Sequence, residues 1–181
     1  MSGSPSQGPT QPLDFPLSWG RLVWGMSIIA CTIFVLVVLS VQWSTAQEGY
    51  EAQWVYGKWG TYGVIGLIVG ICVLYAPLRY RVTPAYVEVV RLAPNWRIPR
   101  DAIAAAGRVD VTRSWRVFGN GGLFGFSGWY RNSELRTYYA AYTRRENTIV
   151  LWREEGDIPV VLSPDDPEAF LAALNVPESV A

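Results

Sequence analysis

Residues 22–41 read LVWGMSIIACTIFVLVVLSV, without a single charge. At a helical rise of about 1.5 Å per residue, a run of this length covers about 30 Å, the thickness of a bilayer's hydrocarbon core. It predicts a transmembrane helix. A cleaved signal peptide is the competing reading, because Ser44-Thr45-Ala46 has the small residues of a cleavage site; against it stand the length of the apolar run and a leader whose only basic residue is Arg21. A second apolar run, about 60–78, predicts a second span, so that 21–78 form a helical hairpin. The loop between the spans, 43–60, carries Trp43, Trp54 and Trp59, a residue type enriched at membrane interfaces. Gly66 and Gly70 have the small-xxx-small spacing that lets another helix approach closely, either the first span or a partner's. Packing within the hairpin is the simpler expectation.

The flanks set the orientation. The loop carries Glu48, Glu51 and Lys58, whereas Arg79, Arg81, Arg91, Arg97 and Arg100 follow the second span. The positive-inside rule then places both termini in the cytoplasm and the chain in the inner (cytoplasmic) membrane. Residues 1–20 form a polar leader rich in Ser, Gly, Pro and Gln, and 1–18, lacking any apolar period, are expected to have no structure of their own. The two cysteines, Cys31 and Cys72, lie inside the apolar runs and behave there as small hydrophobes, which disfavours a disulfide framework or a metal site.

Residues 79–181 are long enough for one small soluble domain. Short β runs recur at 80–83, 86–92, 96–98, 108–112, 115–118, 138–143, 148–152 and 159–162, with Pro84, Pro94-Asn95, Gly107 and Glu155-Gly156-Asp157 between them. This spacing predicts an antiparallel sandwich or barrel. Asp166-Pro167-Glu168 then opens a helix, with Asp166 as cap, Pro167 in the first turn, and Phe170, Leu171 and Leu174 on one face.

The stretch 113–143 stands apart, because it combines closely spaced glycines, large aromatics and arginines. Its Arg116-Val117-Phe118-Gly119-Asn120-Gly121-Gly122-Leu123-Phe124-Gly125, then Gly128-Trp129-Tyr130 and Asn132-Ser133-Glu134-Leu135, resemble the bacterial pleckstrin-homology-like domains, in the group that follows transmembrane helices. Tyr142-Thr143, Asn147-Thr148-Ile149-Val150-Leu151 and the closing Ser163-Pro164-Asp165-Asp166-Pro167-Glu168-Ala169-Phe170 fit the same family. The resemblance covers about 79–175 and is specific in its second half. It implies a mainly β, half-open barrel of seven strands capped by a C-terminal helix. One position departs from the pattern: relatives usually have glycine after Glu-Leu, and this chain has Arg136.

Chemistry is limited by what is missing. Histidine is absent, which removes the usual acid–base group near neutral pH, and a formal net charge of zero gives no global attraction to nucleic acid. Gly119-Asn120-Gly121-Gly122 fails as a phosphate loop, since no Gly-Lys-Ser/Thr follows and Phe124 occupies the sixth position of a GxGxxG reading. The glycines are better explained by turns, bulges and close packing. No catalytic residue, cofactor or metal is assigned, and the chain is not expected to be an enzyme.

Recognition falls to arginines and exposed aromatics, residue types enriched at protein interfaces. Arg108, Arg113, Arg116, Arg131, Arg136, Arg144 and Arg145 gather around the same segment, and Trp115, Phe124, Phe126, Trp129 and Tyr130 exceed what turns require. The candidate surface is Arg113, Trp115, Arg116, Phe124, Phe126, Trp129, Tyr130, Arg131 and Arg136. The expectation is a non-catalytic, membrane-anchored docking or accessory subunit of a larger integral membrane complex, a respiratory or photosynthetic one being conceivable. The alternative is a membrane-tethered sensor that binds anionic lipid head groups or a peptide through the arginine face.

Overall fold

Two helices that are apolar on every side leave the domain together. The computed structural model describes residues 11–47, 52–154 and 157–178, with side chains described outside 44–56. Helix α1 (Arg21–Gln47) and helix α2 (Ala52–Tyr75) are each long and apolar enough to cross a membrane. Helix α2 begins earlier than the apolar run suggests, so much of the expected loop is helical; Glu48 and Glu51 lie outside the described residues. It stops at Tyr75, short of the expected Leu78, because Pro77 cannot continue a helical hydrogen-bond ladder. The helices touch far from the domain, where Lys58 Nζ donates to Gln42 Oε1 at 2.6 Å and the Tyr62 hydroxyl to the Val38 carbonyl at 3.5 Å. Gly66 and Gly70 do not mediate that packing: nothing lies within 4 Å of where a Cβ would stand on either.

The domain is built on two sheets that do not close. The first has the order β1 (Leu13–Pro16), β2 (Arg79–Val82), β3 (Tyr86–Val90), β4 (Trp96–Pro99), antiparallel throughout. The second has the order β5 (Ile103–Val109), β9 (Thr148–Arg153), β10 (Val160–Leu162), β8 (Arg136–Tyr142), β7 (Phe126–Asn132), β6 (Trp115–Gly121), in which β10 and β8 run parallel. The described residues thus hold ten strands rather than the seven that the resemblance implies. Helix α3 (Pro167–Leu174) closes the open end, with Asp166 Oδ1 accepting from the Ala169 amide at 3.0 Å, Pro167 in the first turn, and Phe170 and Leu174 buried. A β-rich domain with two open sheets thus follows two apolar helices and ends in a capping helix, consistent with the fold that the resemblance implies.

The leader is where expectation and structure differ most. Residues 13–16, expected to lack structure, form β1 against β2, with Phe15 the one buried residue of the strand. Phe15 is buried with its ring 5.0 Å from Phe170, while Asp14 on the outer side accepts from Arg81 Nε at 2.6 Å. The chain then fastens to the second sheet: Ser18 donates twice to Asp165, and the Gly20 amide donates to the Thr143 carbonyl at 3.2 Å. One face of the first two turns of α1 joins the core, with Val23 fully buried and Ser27 nearly so.

Tyr80 links the two sheets. It is completely buried, its hydroxyl donating to the Ala141 carbonyl at 2.7 Å and accepting from the Ser163 amide at 3.1 Å. Burial pushes its pKa up to about 12 from the ordinary 10.0. A raised pKa means that the unfolded chain releases this proton first. The associated stability is fully present below pH 10.0 and is lost as pH rises to about 12. Tyr80→Phe leaves a buried carbonyl and a buried amide without this partner, and is expected to cost about 1–3 kcal/mol at neutral pH, read from thermal unfolding. The same variant should lose less stability than the wild type on passing from neutral to strongly alkaline pH.

Candidate functional site

The hairpin of β6 and β7 carries the candidate residues, and its glycines determine its shape. Gly119 and Gly128 face each other across the strands with φ of 119° and 130°. A Cβ on Gly119 would stand 2.3 Å from the Ser127 carbonyl oxygen, and one on Gly128 2.3 Å from that of Phe118. No side chain fits there, so these glycines build the hairpin and leave no room for a phosphate between the strands. At the tip, the Gly122 amide donates to the Gly125 carbonyl at 3.1 Å, and the Asn120 side chain bridges to both the amide and the carbonyl of Leu123. The tip rests on α1: the Phe124 amide donates to Ser27 Oγ at 3.0 Å, and the Phe124 ring lies 5.9 Å from that of Trp19.

Strand β7 falls in a stretch that the β-run pattern reads as connection, because its glycines and serine hide the alternation. Once it is a strand, the period of two sorts the side chains. Phe126 and Tyr130 point inward and are buried, packing with Tyr138 and Tyr142. Neither belongs to the surface on which the sequence reading placed them. Burial raises the pKa of all three tyrosines of this group, that of Tyr130 to about 12, so the cluster stays protonated far above neutrality and serves packing. Phe124 is half-buried against α1.

On the outer face, Trp129 stays exposed and pairs with Phe118 on one side and Tyr139 on the other. Phe118 is 75% exposed on β6, an edge strand whose residues 115–119 are all exposed and whose register shifts at a bulge between Arg116 and Phe118. Trp115 and Val117 are exposed as well. Sequence periodicity had no means of locating that bulge.

The arginines divide into two groups. Arg108 pairs with Glu168, Arg144 with Asp165 at 2.7 Å, and Arg145 lies over the Phe126 ring at 5.1 Å, so these three serve the fold. Arg113, Arg116, Arg131 and Arg136 are exposed. Arg116 donates to the Gly119 carbonyl at 3.3 Å, while Arg131 stands opposite Trp115 across the strands. Arg113, Arg131 and Arg136 gather with Trp115 at the end of the hairpin away from its tip. Arg131 stands five residue steps from Phe126, about 17 Å along β7.

A family model described as bacterial PH domain matches residues 78–177, more than half of the chain, and the chain belongs to that family. No curated protein and no solved structure is similar enough to count as a match.

Arg136 bears on the one departure from the family pattern. Its φ is 56°, in the left-handed region where glycine is unstrained and a side chain costs about 1–2 kcal/mol. Arg136→Gly should therefore raise stability by about 1 kcal/mol, less what glycine loses through added freedom in the unfolded chain. Chemical denaturation of the two proteins measures it. Equal or lower stability would show that the arginine side chain compensates its backbone.

Proposed function

We propose that this bacterial PH domain is a non-catalytic docking module, held at the cytoplasmic face of the inner membrane by two spanning helices and acting as an accessory subunit of a larger integral membrane protein assembly. The observation that carries the reading is strand β6. It lies at the end of the six-stranded sheet, and Trp115, Val117 and Phe118 are all exposed along it. An exposed apolar edge strand is a liability in an isolated protein and a template for a partner strand in an assembly. Arg113 and Arg131 beside Trp115 give that edge the residue types that anchor interfaces. Two apolar helices with almost no protein cover, and glycines on α2 with open space before them, supply further surface for a partner's spans. A respiratory or photosynthetic complex is one class of assembly of this kind.

The arginine face reads as part of the same protein surface rather than as a lipid sensor. Three of its four exposed members, Arg113, Arg131 and Arg136, cluster at the end of the hairpin away from the tip that rests on α1, whereas attraction to anionic lipid fades within a Debye length of about 8 Å.

The test is purification of the full chain from its native membrane in mild detergent. The wild type is expected to migrate with a larger assembly, and the double variant Trp115→Ala, Val117→Lys to migrate free of it. Truncation of an anchoring tryptophan typically costs about 2 kcal/mol, or about 30-fold in affinity. A wild-type chain that purifies alone as a monomer would contradict the proposal.

A further inference from the structure

The outer face of the β6–β7 hairpin and the last turns of α2 enclose a cleft of about 570 Å³. Ile68, Ile71 and Tyr75 of α2 form one wall, and Phe118, Trp129 and Tyr139 the other. Trp129 and Tyr139 also line a second recess of about 250 Å³, which contains Arg91 and Arg153. The two spaces share Trp129 and Tyr139, and Arg91 of the second has its guanidinium 5.1 Å from the centre of the ring of Tyr75, which lines the first. Arg91 belongs to no ion pair among the described residues; its Nε donates to the Pro94 carbonyl at 2.9 Å. Arg153 pairs with Asp157 at 2.8 Å, yet its buried Nε has no hydrogen-bond partner.

We propose that this cleft holds one anionic phospholipid, its acyl chain against α2 and the hairpin aromatics and its phosphate at Arg91, with Arg153 beside it. The inference rests on the reading that α2 spans a membrane. From Ile68 to Tyr75 the helix advances about 10 Å, so the cleft runs from apolar wall to helix end, where the unpaired cation lies. That is the order of groups in one leaflet. The α2 wall belongs to a segment with no protein cover, so in a bilayer the material at its surface is hydrocarbon. A peptide entering at that depth would bring backbone groups that hydrocarbon cannot satisfy and that only the open edge of β6 could pair. An acyl chain brings none. The uncompensated charge of Arg91 selects an anionic head group over a zwitterionic one, whose own cation it repels.

The experiment is native mass spectrometry of the detergent-solubilised full chain, titrated with phosphatidylglycerol or phosphatidylcholine, beside alkaline carbonate extraction of the membranes. The wild type should retain one phosphatidylglycerol in preference to phosphatidylcholine. Arg91→Ala should weaken that retention about 5-fold, the equivalent of one basic residue at the surface, while Arg91→Lys keeps most of it. Cys72→Trp, which fills the cleft from the helix side, should abolish it. A chain that resists carbonate but retains neither lipid, retains both equally, or holds a polypeptide there instead, overturns the lipid site and leaves the membrane reading standing. Release by carbonate overturns both.

Discussion

Everything in this structure depends on the helix pair being fastened to the domain at both of its ends. At the entrance to α1, residues 13–20 lie across both sheets, and Val23 and Ser27 are buried with the domain. At the exit from α2, the Leu74 carbonyl accepts from the Ala93 amide at 2.8 Å and the Leu78 amide donates to the Val90 carbonyl at 2.8 Å. Those bonds tie the last turn of the helix to β3 and the turn that follows it. With both ends held, the domain cannot swing on a tether. The hairpin tip keeps its place on α1, and the surfaces beside it face the two apolar helices at a fixed angle.

Magnitudes show which contacts do the fastening. Asp14 and Arg81 form a close ion pair whose hydrogen bond holds the Asp14 carboxyl below its usual range, so its contribution is present above the ordinary carboxylate pKa and fades as pH falls. Both partners are substantially exposed, however, and such pairs contribute under about 1 kcal/mol. Burying Phe15 against Phe170 contributes about 1.5–3 kcal/mol, so the ring holds the strap and the ion pair sets its register. Glu88 differs, because it is almost fully buried and lies between Arg97 at 2.9 Å and Arg81 at 3.6 Å. Removing its partners would leave a charge without compensation, which is far more costly than losing a surface pair.

Much of this architecture can be read from the residues, and the exceptions have physical causes. The two long helices follow from their apolar runs, and α3 from Asp166-Pro167 with its buried Phe170. Strand β1 is too short for periodicity to register, and only its partner β2 gives Phe15 something to cover. Strand β5 begins at Ile103, five residues before the expected run, because alanines and a glycine dilute its pattern. Strand β7 is concealed by Gly128, which the close approach to Gly119 requires and which carries no apolar signal. The candidate surface inherits that omission: without β7, alternation cannot assign Phe126 and Tyr130 to the core and Trp129 to the outside. The exposure of Phe118 follows from β6 lying at the edge of the sheet, a feature of strand order that no single segment encodes.

A rigid unit suits a docking module, because a partner then meets the β6 edge, the exposed arginines and the uncovered helices in one fixed geometry. The most direct test of that rigidity is the distance between a spin label at Val64 on α2 and one at Ser133 beyond β7, measured in the full chain in lipid vesicles after Cys31 and Cys72 are replaced by serine. A single narrow distance distribution is expected, broadening on Phe15→Asp, which releases the strap. A broad distribution in the chain with Phe15 intact would contradict it, because the domain would then be moving freely on the helices.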